Sequence, residues 1–359
     1  MTGISIHDPV NIEDVRLLVL TVSGDNTPSV RYRIKKLLSR YDPQYGNIRI
    51  RNIPKTPNRR LRLLRDLIWA DCVLIQKKLF SGPELRLIRW LAKGLFYDLD
   101  DAIHYVHPSK KIPGEGPVKN VREKMALTVS LCDGVFVGNQ YLKTEVEEMG
   151  ASRVKVVPTP VQIPGDELSR PDLMERSGTG LVLGWIGTAE NLFYLDIIQK
   201  PLSVIQERFP DTRVVIISSS PWATDQVDAE FIKWSPEKEE EYLGMIDIGL
   251  MPLTDDNYSR GKCGFKILQY MSAGIPTLAS PVGANNDIIT HGRNGYLPAG
   301  NDEWVQLAGY MIESTDDRRL LGEAARQTAI ENYSVKKLSA EYRAVLDGWM
   351  ADIQKTYGP

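Results

Sequence analysis

The chain has 359 residues, of which 42% are apolar and 25% charged, and its formal net charge is −2. This composition is that of an ordinary globular protein, and the length predicts two domains rather than one core. No apolar run is long enough for a membrane-spanning helix, the first eleven residues lack the pattern of a signal peptide, and the three cysteines fit no metal-ligand spacing. We therefore expect a protein of the reducing cytoplasm.

The two halves of the chain differ in charge. Residues 1–160 contain 26 Lys and Arg against 17 Asp and Glu, whereas the remainder contains 18 against 29. Chance scatter of solvated side chains is one interpretation of this asymmetry. We favour a basic half that meets an anionic partner.

The first predicted strand is the apolar run Val15–Val22, which is closed by Ser23-Gly24-Asp25. A run of this kind is typical of a buried parallel strand that leads into a loop. Ser29 then begins a predicted helix with Arg31 and Arg33 in its first turn. Because cations oppose the helix dipole at that end, an anionic ligand would relieve the repulsion. We place Gly24, Arg31 and Arg33 on the acceptor or phosphate side of a site.

A basic segment follows the second predicted strand. From Arg49 to Arg65 there are seven Lys and Arg and no acid, alternating with leucines in helical fashion. The segment is either a plain surface helix or an interfacial helix, at 49–69, that rests on anionic lipid. A basic patch alone is weak evidence for nucleic-acid binding and no signature accompanies it, so we expect no nucleic-acid partner.

An acidic cluster, D-L-D-D at 98–101, follows the strand at Leu95–Tyr97. Three interpretations are open: a capped turn before a helix, a site for a hard cation, or carboxylates that contact sugar hydroxyls or a reacting hydroxyl. Ligands of open α/β sheets bind beyond the carboxyl ends of the strands. We favour the third interpretation, with Asp100 and Asp101 as the candidates.

Strands and helices alternate to about residue 157, and the prolines at 158, 160 and 164 mark a boundary. The alternation restarts at Leu181–Ile186 and ends in three helices over 301–351. Such alternation predicts parallel sheets covered by helices on both faces. The predicted fold class is therefore α/β, with two doubly wound, Rossmann-like domains, 1–165 and 166–334, facing across a cleft.

Four loops of the second predicted domain are expected to line that cleft. The stretch Ser259–Asp287 organises them, because it begins with a glycine-bearing turn and a helix that carries Lys262, Lys266 and Gln269 on one stripe. This pattern suits a phosphate at a helix start, although a solvated surface helix has the same spacing. G-x-G-x-x-G and G-x-x-x-x-G-K-[ST] are both absent, so neither a dinucleotide fingerprint nor a P-loop is supported. The four loops are Gly187–Asn191, Lys233–Ser235, Arg260–Lys266 and Val282–Asn286.

Over about 15–350, motifs in matching order resemble the family 4 (group 1) glycosyltransferases of GT-B fold. In the second half they are G-W-I-G-T-A-E-N-L at 184–192, W-S-P-E-K-E at 234–239, D-I-G-L-M-P-L at 247–253 and G-K-C-G-F-K-I-L-Q-Y-M-S-A-G-I-P-T-L-A-S-P-V-G at 261–283. In the first half they are S-V-R-Y-R at 29–33, F-Y-D-L-D-D-A-I at 96–103, V-G-N-Q-Y-L at 137–142 and V-V-P-T-P-V at 156–161.

This resemblance implies retaining transfer of a sugar from a nucleotide diphosphate sugar, with no cofactor and no obligatory metal. It also implies a lipid-linked, polysaccharide or other glycan acceptor, and a C-terminal helix, about 335–359, that joins the first domain. The enzyme would work in the cytoplasm, on the inner face of the cell membrane if the basic segment binds lipid. Two alternatives stay open: a catalytically silent nucleotide- or glycan-binding scaffold, and a nucleotide-sugar epimerase.

The resemblance also assigns site residues. The implied catalytic group consists of Lys262 and Lys266 as a phosphate clamp and of Asp100 and Asp101 beside the acceptor. One departure is clear, because the place where many members have two glutamates eight residues apart falls on Gly261 and Gln269. The implied donor-binding residues are Gly187, Thr188, Lys233, Trp234, Gly264, Phe265, Gln269 and Gly283.

Overall fold

Two parallel β-sheets organise the chain in the computed structural model, which describes residues 15–22, 27, 29–38, 47–54, 56, 61–110, 118–165 and 180–357. The described residues divide into two compact units. Unit 1 consists of residues 15–106, 118–159 and 338–357, and unit 2 of residues 107–110, 160–165 and 180–337. The sequence places the loop 107–110 in the first domain, whereas its contacts place it in unit 2.

The sheet of unit 1 has the strand order β2-β1-β3-β4-β5-β6, and every pair is parallel. Strands β1, β3, β4 and β5 are buried along their whole length, as their continuous apolar runs predict. The strands are β1 Leu17–Thr21, β2 Ile48–Asn52, β3 Cys72–Gln76, β4 Gly94–Leu99, β5 Gly134–Val137 and β6 Val154–Val156.

The sheet of unit 2 has the order β11-β10-β7-β8-β9, again all parallel. Its central strand β7 is fully buried, and its core gathers around Trp185, which is 1% exposed. The strands are β7 Val182–Ile186, β8 Arg213–Ser218, β9 Ala229–Lys233, β10 Ile248–Met251 and β11 Thr277–Ala279. Two helix-covered parallel sheets confirm the predicted α/β fold class.

The helices follow the strands in both units. A π-helical segment, Ser29–Ile34, leads into α1, and 3-10 segments occur at Leu61–Leu63, Pro108–Lys110, Ala189–Ile198 and Pro236–Lys238. The α-helices are α1 Lys35–Leu37, α2 Leu64–Trp69, α3 Gly82–Leu91, α4 Lys119–Leu131, α5 Gln140–Glu148, α6 Gln199–Arg208, α7 Glu239–Met245, α8 Asn257–Arg260, α9 Phe265–Ser272, α10 Ala284–Ile288, α11 Asn301–Glu313, α12 Thr315–Thr328 and α13 Val335–Tyr357.

The C-terminal part of α13 packs on the sheet of unit 1. The Trp349 ring stacks on Phe96 with 5.8 Å between centroids and lies 4.6 Å from Phe136, while Tyr342 stacks on Phe136 at 3.9 Å. A Cβ atom at Gly134 would lie 2.3 Å from the Trp349 ring. The glycine at the start of β5 therefore makes room for the indole, and buried aromatic surface fixes this helix on unit 1.

Candidate functional site

Two glycine turns of unit 2 lie in direct contact at the start of α9. Gly264, which precedes α9, has φ +63°, and Gly283 has φ +53°. A Cβ atom at Gly264 would lie 2.4 Å from Ile288 Cδ1, and one at Gly283 would lie 2.5 Å from the carbonyl oxygen of Arg260. Both the backbone conformation and the available space therefore require glycine at these positions.

Lys266 is brought to the end of β7 by a third glycine. Its Nζ lies 5.0 Å from the centroid of the Trp185 ring. A Cβ atom at Gly187 would lie 2.4 Å from the same ring and 2.8 Å from Lys266 Cε. The loop after β7 and the first turn of α9 are thus in van der Waals contact, and the ammonium of Lys266 lies over a neutral aromatic face.

Lys262 also contacts neutral groups. Its Nζ donates to Asn191 Oδ1 at 3.2 Å and lies 5.1 Å from the Tyr258 ring and 5.5 Å from the Tyr194 ring. The amide of Asn191 in turn donates to Thr188 Oγ1 at 2.7 Å. Thr188 therefore acts on Lys262 through Asn191, and the Gly187–Asn191 loop positions both lysines.

Buried hydrogen bonds hold the turn that carries Lys262. Asp256 caps α8 by accepting from the Ser259 amide at 2.9 Å, and Ser259 Oγ lies 2.8 Å from the Tyr194 hydroxyl. Arg260 forms a two-pronged ion pair with Asp255, at 2.7 and 3.0 Å, and this bond lowers the pKa of Asp255. The charge of Arg260 is consequently matched within its own turn.

The predicted loop Lys233–Ser235 is connected to the same region through α7 and α9. Gln269 Nε2 donates to Glu239 Oε1. The loop itself is fixed by Tyr242, whose hydroxyl donates to the Lys233 carbonyl at 2.9 Å and accepts from the Ser235 amide at 3.1 Å. The remaining predicted residues are placed nearby: the amide of Trp234 donates to Ser218 at 2.8 Å, and the half-buried Phe265 is the first residue of α9.

His107 is a site residue that the sequence did not reveal. Its ring lies edge-on to Tyr258 at 4.8 Å and to Phe193 at 5.4 Å, and its Nδ1 is bonded to Ser109 Oγ at 2.8 Å. Burial lowers the pKa of His107, the charge of Lys262 lowers it further, and a hydrogen bond with Asn191 opposes both. We therefore expect a neutral imidazole here at pH 7. One histidine in a loop carries no pattern that indicates this position.

In unit 1, Asp100 and Asp101 share one cation. Lys77 Nζ lies 2.7 Å from Asp100 Oδ1 and 2.5 Å from Asp101 Oδ2. Burial raises the pKa of Asp100, but Lys77 and Arg33 more than offset this effect, so the net pKa is lowered. Lys77 has φ +54°, a conformation rare for residues other than glycine. The sequence did not single out Lys77, whose partners are 23 and 24 positions away.

Arg33 lies inside unit 1. Its side chain is 0% exposed, with Nε donating to Asp98 at 2.7 Å and Nη1 donating to the Val157 carbonyl at 2.7 Å. It thus connects the helix after β1 with the ends of β4 and β6, a structural position rather than the ligand-facing one expected from the sequence. Arg31 is half-buried, with its guanidinium carbon 5.0 Å from the Tyr32 ring centroid, and Gly24 lies outside the described residues.

The basic segment carries less net charge than its sequence suggests. Arg49 and Arg51, on β2, each lie 2.9 Å from a carboxylate oxygen of Asp66, the residue directly after the acid-free run. Arg62 and Arg65 are exposed, and the other three cations of the run lie outside the described residues. Of the helices that the structure describes, none is long and apolar enough to cross a bilayer.

The described residues contain no group of three or more His, Cys, Asp or Glu side chains arranged to hold a metal ion. The acids at 98–101 are instead bound to Arg33 and Lys77, at the carboxyl end of β4. The cation interpretation of this cluster therefore receives no support from the described geometry.

Comparison with known proteins explains the arrangement in unit 2. Residues 180–317 match the model of the family described as glycosyl transferases group 1. This match in unit 2 agrees with the resemblance to the family 4 (group 1) glycosyltransferases that the motifs indicate. It is 28% identical over 108 residues to N-acetyl-alpha-D-glucosaminyl L-malate synthase of Bacillus anthracis, covering 29% of this chain and 27% of that protein. It is 24% identical over 211 residues to D-inositol 3-phosphate glycosyltransferase of Corynebacterium urealyticum, covering 51% and 48%. The chain thus spans half or less of the length of these relatives.

Solved structures show the same fold. Anabaena HepE, in complex with UDP and glucose, superposes with a TM-score of 0.66 at 14% identity, over 93% of this chain and 100% of that one. Sucrose-phosphate synthase of Thermosynechococcus elongatus superposes with a TM-score of 0.64 at 12% identity, over 94% and 100%. These likenesses confirm the GT-B fold predicted from the motifs. Within this fold, the chain has Gly261 and Gln269 where the resemblance leads one to expect glutamates.

Proposed function

We propose that this protein transfers a sugar, with retention of configuration, from a nucleotide diphosphate sugar to a lipid-linked or other glycan acceptor, without an obligatory metal. The observation that carries the proposal is that Lys262 and Lys266, on either side of the glycine turn before α9, both contact the loop Gly187–Asn191. HepE, which has the same fold, was solved with UDP and glucose and with UDP-glucose.

The diphosphate binds at the first turn of α9. The backbone amides there lack intrahelical partners and the helix dipole is positive, so an anion is stabilised. Gly264 allows the left-handed turn that packs against Ile288 and begins α9. Lys262 and Lys266 add positive charge there; Lys262 donates to Asn191 Oδ1 and lies near the Tyr258 ring, and Lys266 lies near the Trp185 ring.

Catalysis follows from this placement. As the bond between sugar and phosphate breaks, negative charge grows on the leaving oxygen. Preorganised cations and amides that face this charge lower the barrier, by about 3–4 kcal/mol for a single donor in measured cases. His107 lies beside Lys262 and is hydrogen-bonded to Asn191, the residue that accepts from Lys262, so it helps to hold this lysine in place. The leaving phosphate assists deprotonation of the acceptor, so no dedicated base is required.

We also assign positions to the base of the donor and to the acceptor hydroxyl. The base lies against the loop of Lys233 and Trp234, which Tyr242 holds in place. The acceptor hydroxyl meets Asp100 or Asp101, which share the ammonium of Lys77. The charge of Lys77 lowers the pKa of Asp100 and so favours its ionised state.

Unit 1 supports attachment to an anionic membrane. On the outer surfaces of α2 and α3, Ile68 is 69% exposed and Trp90 is 79% exposed, with Arg62 and Arg65 exposed near Ile68 in the chain. Exposed apolar and aromatic side chains among cations are typical of proteins that bind the interface of anionic bilayers. We place the protein at the cytoplasmic face of the cell membrane, where a lipid-linked acceptor is available.

The decisive experiment is turnover of Lys266→Ala. Release of nucleoside diphosphate from a panel of nucleotide sugars, with lipid-linked and glycan acceptors, is compared with that of wild type and of Lys200→Ala, an exposed lysine on α6. Loss of one donor at a growing negative charge predicts a fall in kcat of about 100-fold or more. Activity of Lys266→Ala within a few-fold of wild type overturns the phosphate clamp.

One observation favours a second candidate. Gly261 and Gln269 stand at the positions of the glutamate pair, as expected for a nucleotide- or glycan-binding scaffold without catalysis. Calorimetry with nucleoside diphosphates separates the two functions when it is combined with the turnover assay. Binding without turnover, across all donors and acceptors, identifies the scaffold.

A further inference from the structure

A carboxylate reaches the donor region from outside the organising stretch. Glu239, the first residue of α7, accepts a hydrogen bond from the side-chain amide of Gln269 on α9. Glu239 is half-buried, whereas the neighbouring glutamates are exposed. The exposed neighbours are Glu237, Glu240 and Glu241.

We infer that Glu239, oriented by Gln269, binds the two ribose hydroxyls of the donor and selects ribonucleotides over 2′-deoxyribonucleotides. The inference rests on the proposed function, since it requires a nucleotide in this site. Glu239 is then a binding residue and Gln269 a positioning residue.

The location fits a nucleotide that runs along α9. Gln269 lies one helical turn after Lys266, which corresponds to about 5 Å along the helix axis. A phosphate bound beside Lys266 thus places the adjoining ribose near Gln269 and Glu239. The base then lies toward Trp234, which precedes α7 in the chain.

The spacing along α7 fixes Glu239 relative to the loop Lys233–Ser235, where we place the base. Tyr242 follows Glu239 by three residues, and its hydroxyl bonds to both the Lys233 carbonyl and the Ser235 amide. Residues three apart lie on the same face of a helix. The contacts of Tyr242 that fix the loop Lys233–Ser235 therefore also fix the position of Glu239.

The chemistry of the pair suits a vicinal diol. A carboxylate accepts through two oxygens, with about four lone-pair positions, so it can accept from two adjacent hydroxyls. Hydrogen bonds to a charged acceptor are roughly twice as strong as those between neutral groups. The amide of Gln269 donates to Glu239, and this bond orients the carboxylate.

The test is the ratio of affinities for ribose and deoxyribose ligands. Calorimetry measures Kd for UDP and 2′-deoxy-UDP, and for the ADP, GDP and CDP pairs, with wild type, Glu239→Ala and Glu239→Gln. Wild type is expected to prefer the ribose ligand about 10-fold or more, from one charged hydrogen bond. The ratio falls toward 1 in Glu239→Ala and decreases in Glu239→Gln and Gln269→Ala. The matched control is Glu240→Ala, an exposed neighbour on the same helix, which keeps the wild-type ratio.

The possible failures are distinguishable. If wild type binds none of the nucleoside diphosphates, the proposed function and the inference are both overturned. If wild type binds them but the ratio of Glu239→Ala equals that of wild type, only the inference is overturned. Glu239→Gln preserves side-chain size, and thermal denaturation of every variant verifies that it is folded. An unchanged ratio in a folded Glu239→Gln together with a folded Gln269→Ala likewise overturns the inference.

Discussion

Cations at the carboxyl ends of the strands have different neighbours in the two sheets. In unit 1, Lys77 pairs with Asp100 and Asp101 at the end of β4, and Arg33 pairs with Asp98 in full burial. In unit 2, Lys262 and Lys266 lie against an amide oxygen and aromatic rings. Breaking a buried ion pair leaves an uncompensated charge and destabilises the fold, whereas a cation beside an aromatic ring is held by a weaker attraction. This difference agrees with the proposal that phosphate binds to unit 2.

The two regions also differ in which residues adopt a left-handed backbone conformation. The left-handed residue among the charges of unit 1 is Lys77, at φ +54°, and two carboxylates hold its side chain. The left-handed residues at the site of unit 2 are Gly264 and Gly283, which adopt this conformation at little cost. The unfavourable backbone conformation of Lys77 is therefore offset by ion pairing, whereas the turns of unit 2 avoid this cost by using glycine.

The largest expected effect comes from Asp98→Ala, which leaves Arg33 buried without its carboxylate. Breaking a buried ion pair destabilises a protein by about 3–5 kcal/mol, and urea denaturation measures the loss. The double variant Asp98→Leu/Arg33→Met is expected to recover most of the stability. A loss below about 1 kcal/mol in Asp98→Ala, the range of an exposed pair, contradicts the structural role of this pair.

In unit 2, the corresponding destabilising substitution is Gly283→Ala. The left-handed backbone alone costs about 1–3 kcal/mol for a residue other than glycine, and the Cβ contact with the Arg260 carbonyl adds to this. We expect a lower melting temperature and weaker binding of nucleoside diphosphate. The control is Gly244→Ala in helix α7, where a Cβ atom meets nothing within 4 Å. There the free energy of unfolding should rise by about 0.5–1 kcal/mol. Equal effects of the two variants would show that the turn at Gly283 tolerates side chains.

Lys77→Met tests the charge balance of unit 1 through its pH dependence. The pKa of Asp100 is lowered in the folded protein, so its contribution to stability is present above its ordinary pKa and lost as the pH falls through the lowered value. Without Lys77, burial raises the pKa of Asp100, and the charged form becomes unfavourable. The stability difference from wild type is thus greatest near pH 7 and shrinks in acid.

Denaturation of wild type and Lys77→Met at a series of pH values measures this difference. Lys35→Met, which removes an exposed lysine of α1, serves as the control and should show a small difference at every pH. A difference between wild type and Lys77→Met that stays constant from pH 7 to pH 3 refutes the coupling of Lys77 to Asp100.

The smallest effect is expected for Arg260→Met. Its guanidinium is matched by Asp255, both side chains are largely exposed, and exposed pairs contribute about 0–1 kcal/mol. The Kd for nucleoside diphosphate, measured by calorimetry, should change less than about 3-fold, whereas Lys262→Ala and Lys266→Ala weaken binding strongly. Comparable losses of affinity in all three variants would contradict the proposal that the two lysines, and not Arg260, bind the diphosphate.

Much of the site in unit 2 was predictable because it depends on local patterns. Glycines beside a helix start and lysines at helical spacing predict the turn before α9 and its cations. The three other loops follow from the rule that ligands bind at the carboxyl ends of parallel strands. In unit 1 the same reasoning misplaced Arg33, because a position in a first helical turn does not tell whether a side chain is buried.

The sequence by itself determined the α/β class, the strands with their buried runs and the glycine turns, since each depends on neighbours a few positions apart. The tertiary structure alone decided that Lys77 holds two acids, that His107 lies beside Lys262 and that Glu239 meets Gln269. Strand order brings such distant positions to one edge of a sheet. Charge pairing and burial depend on distances in space, so no local pattern along the chain contains them.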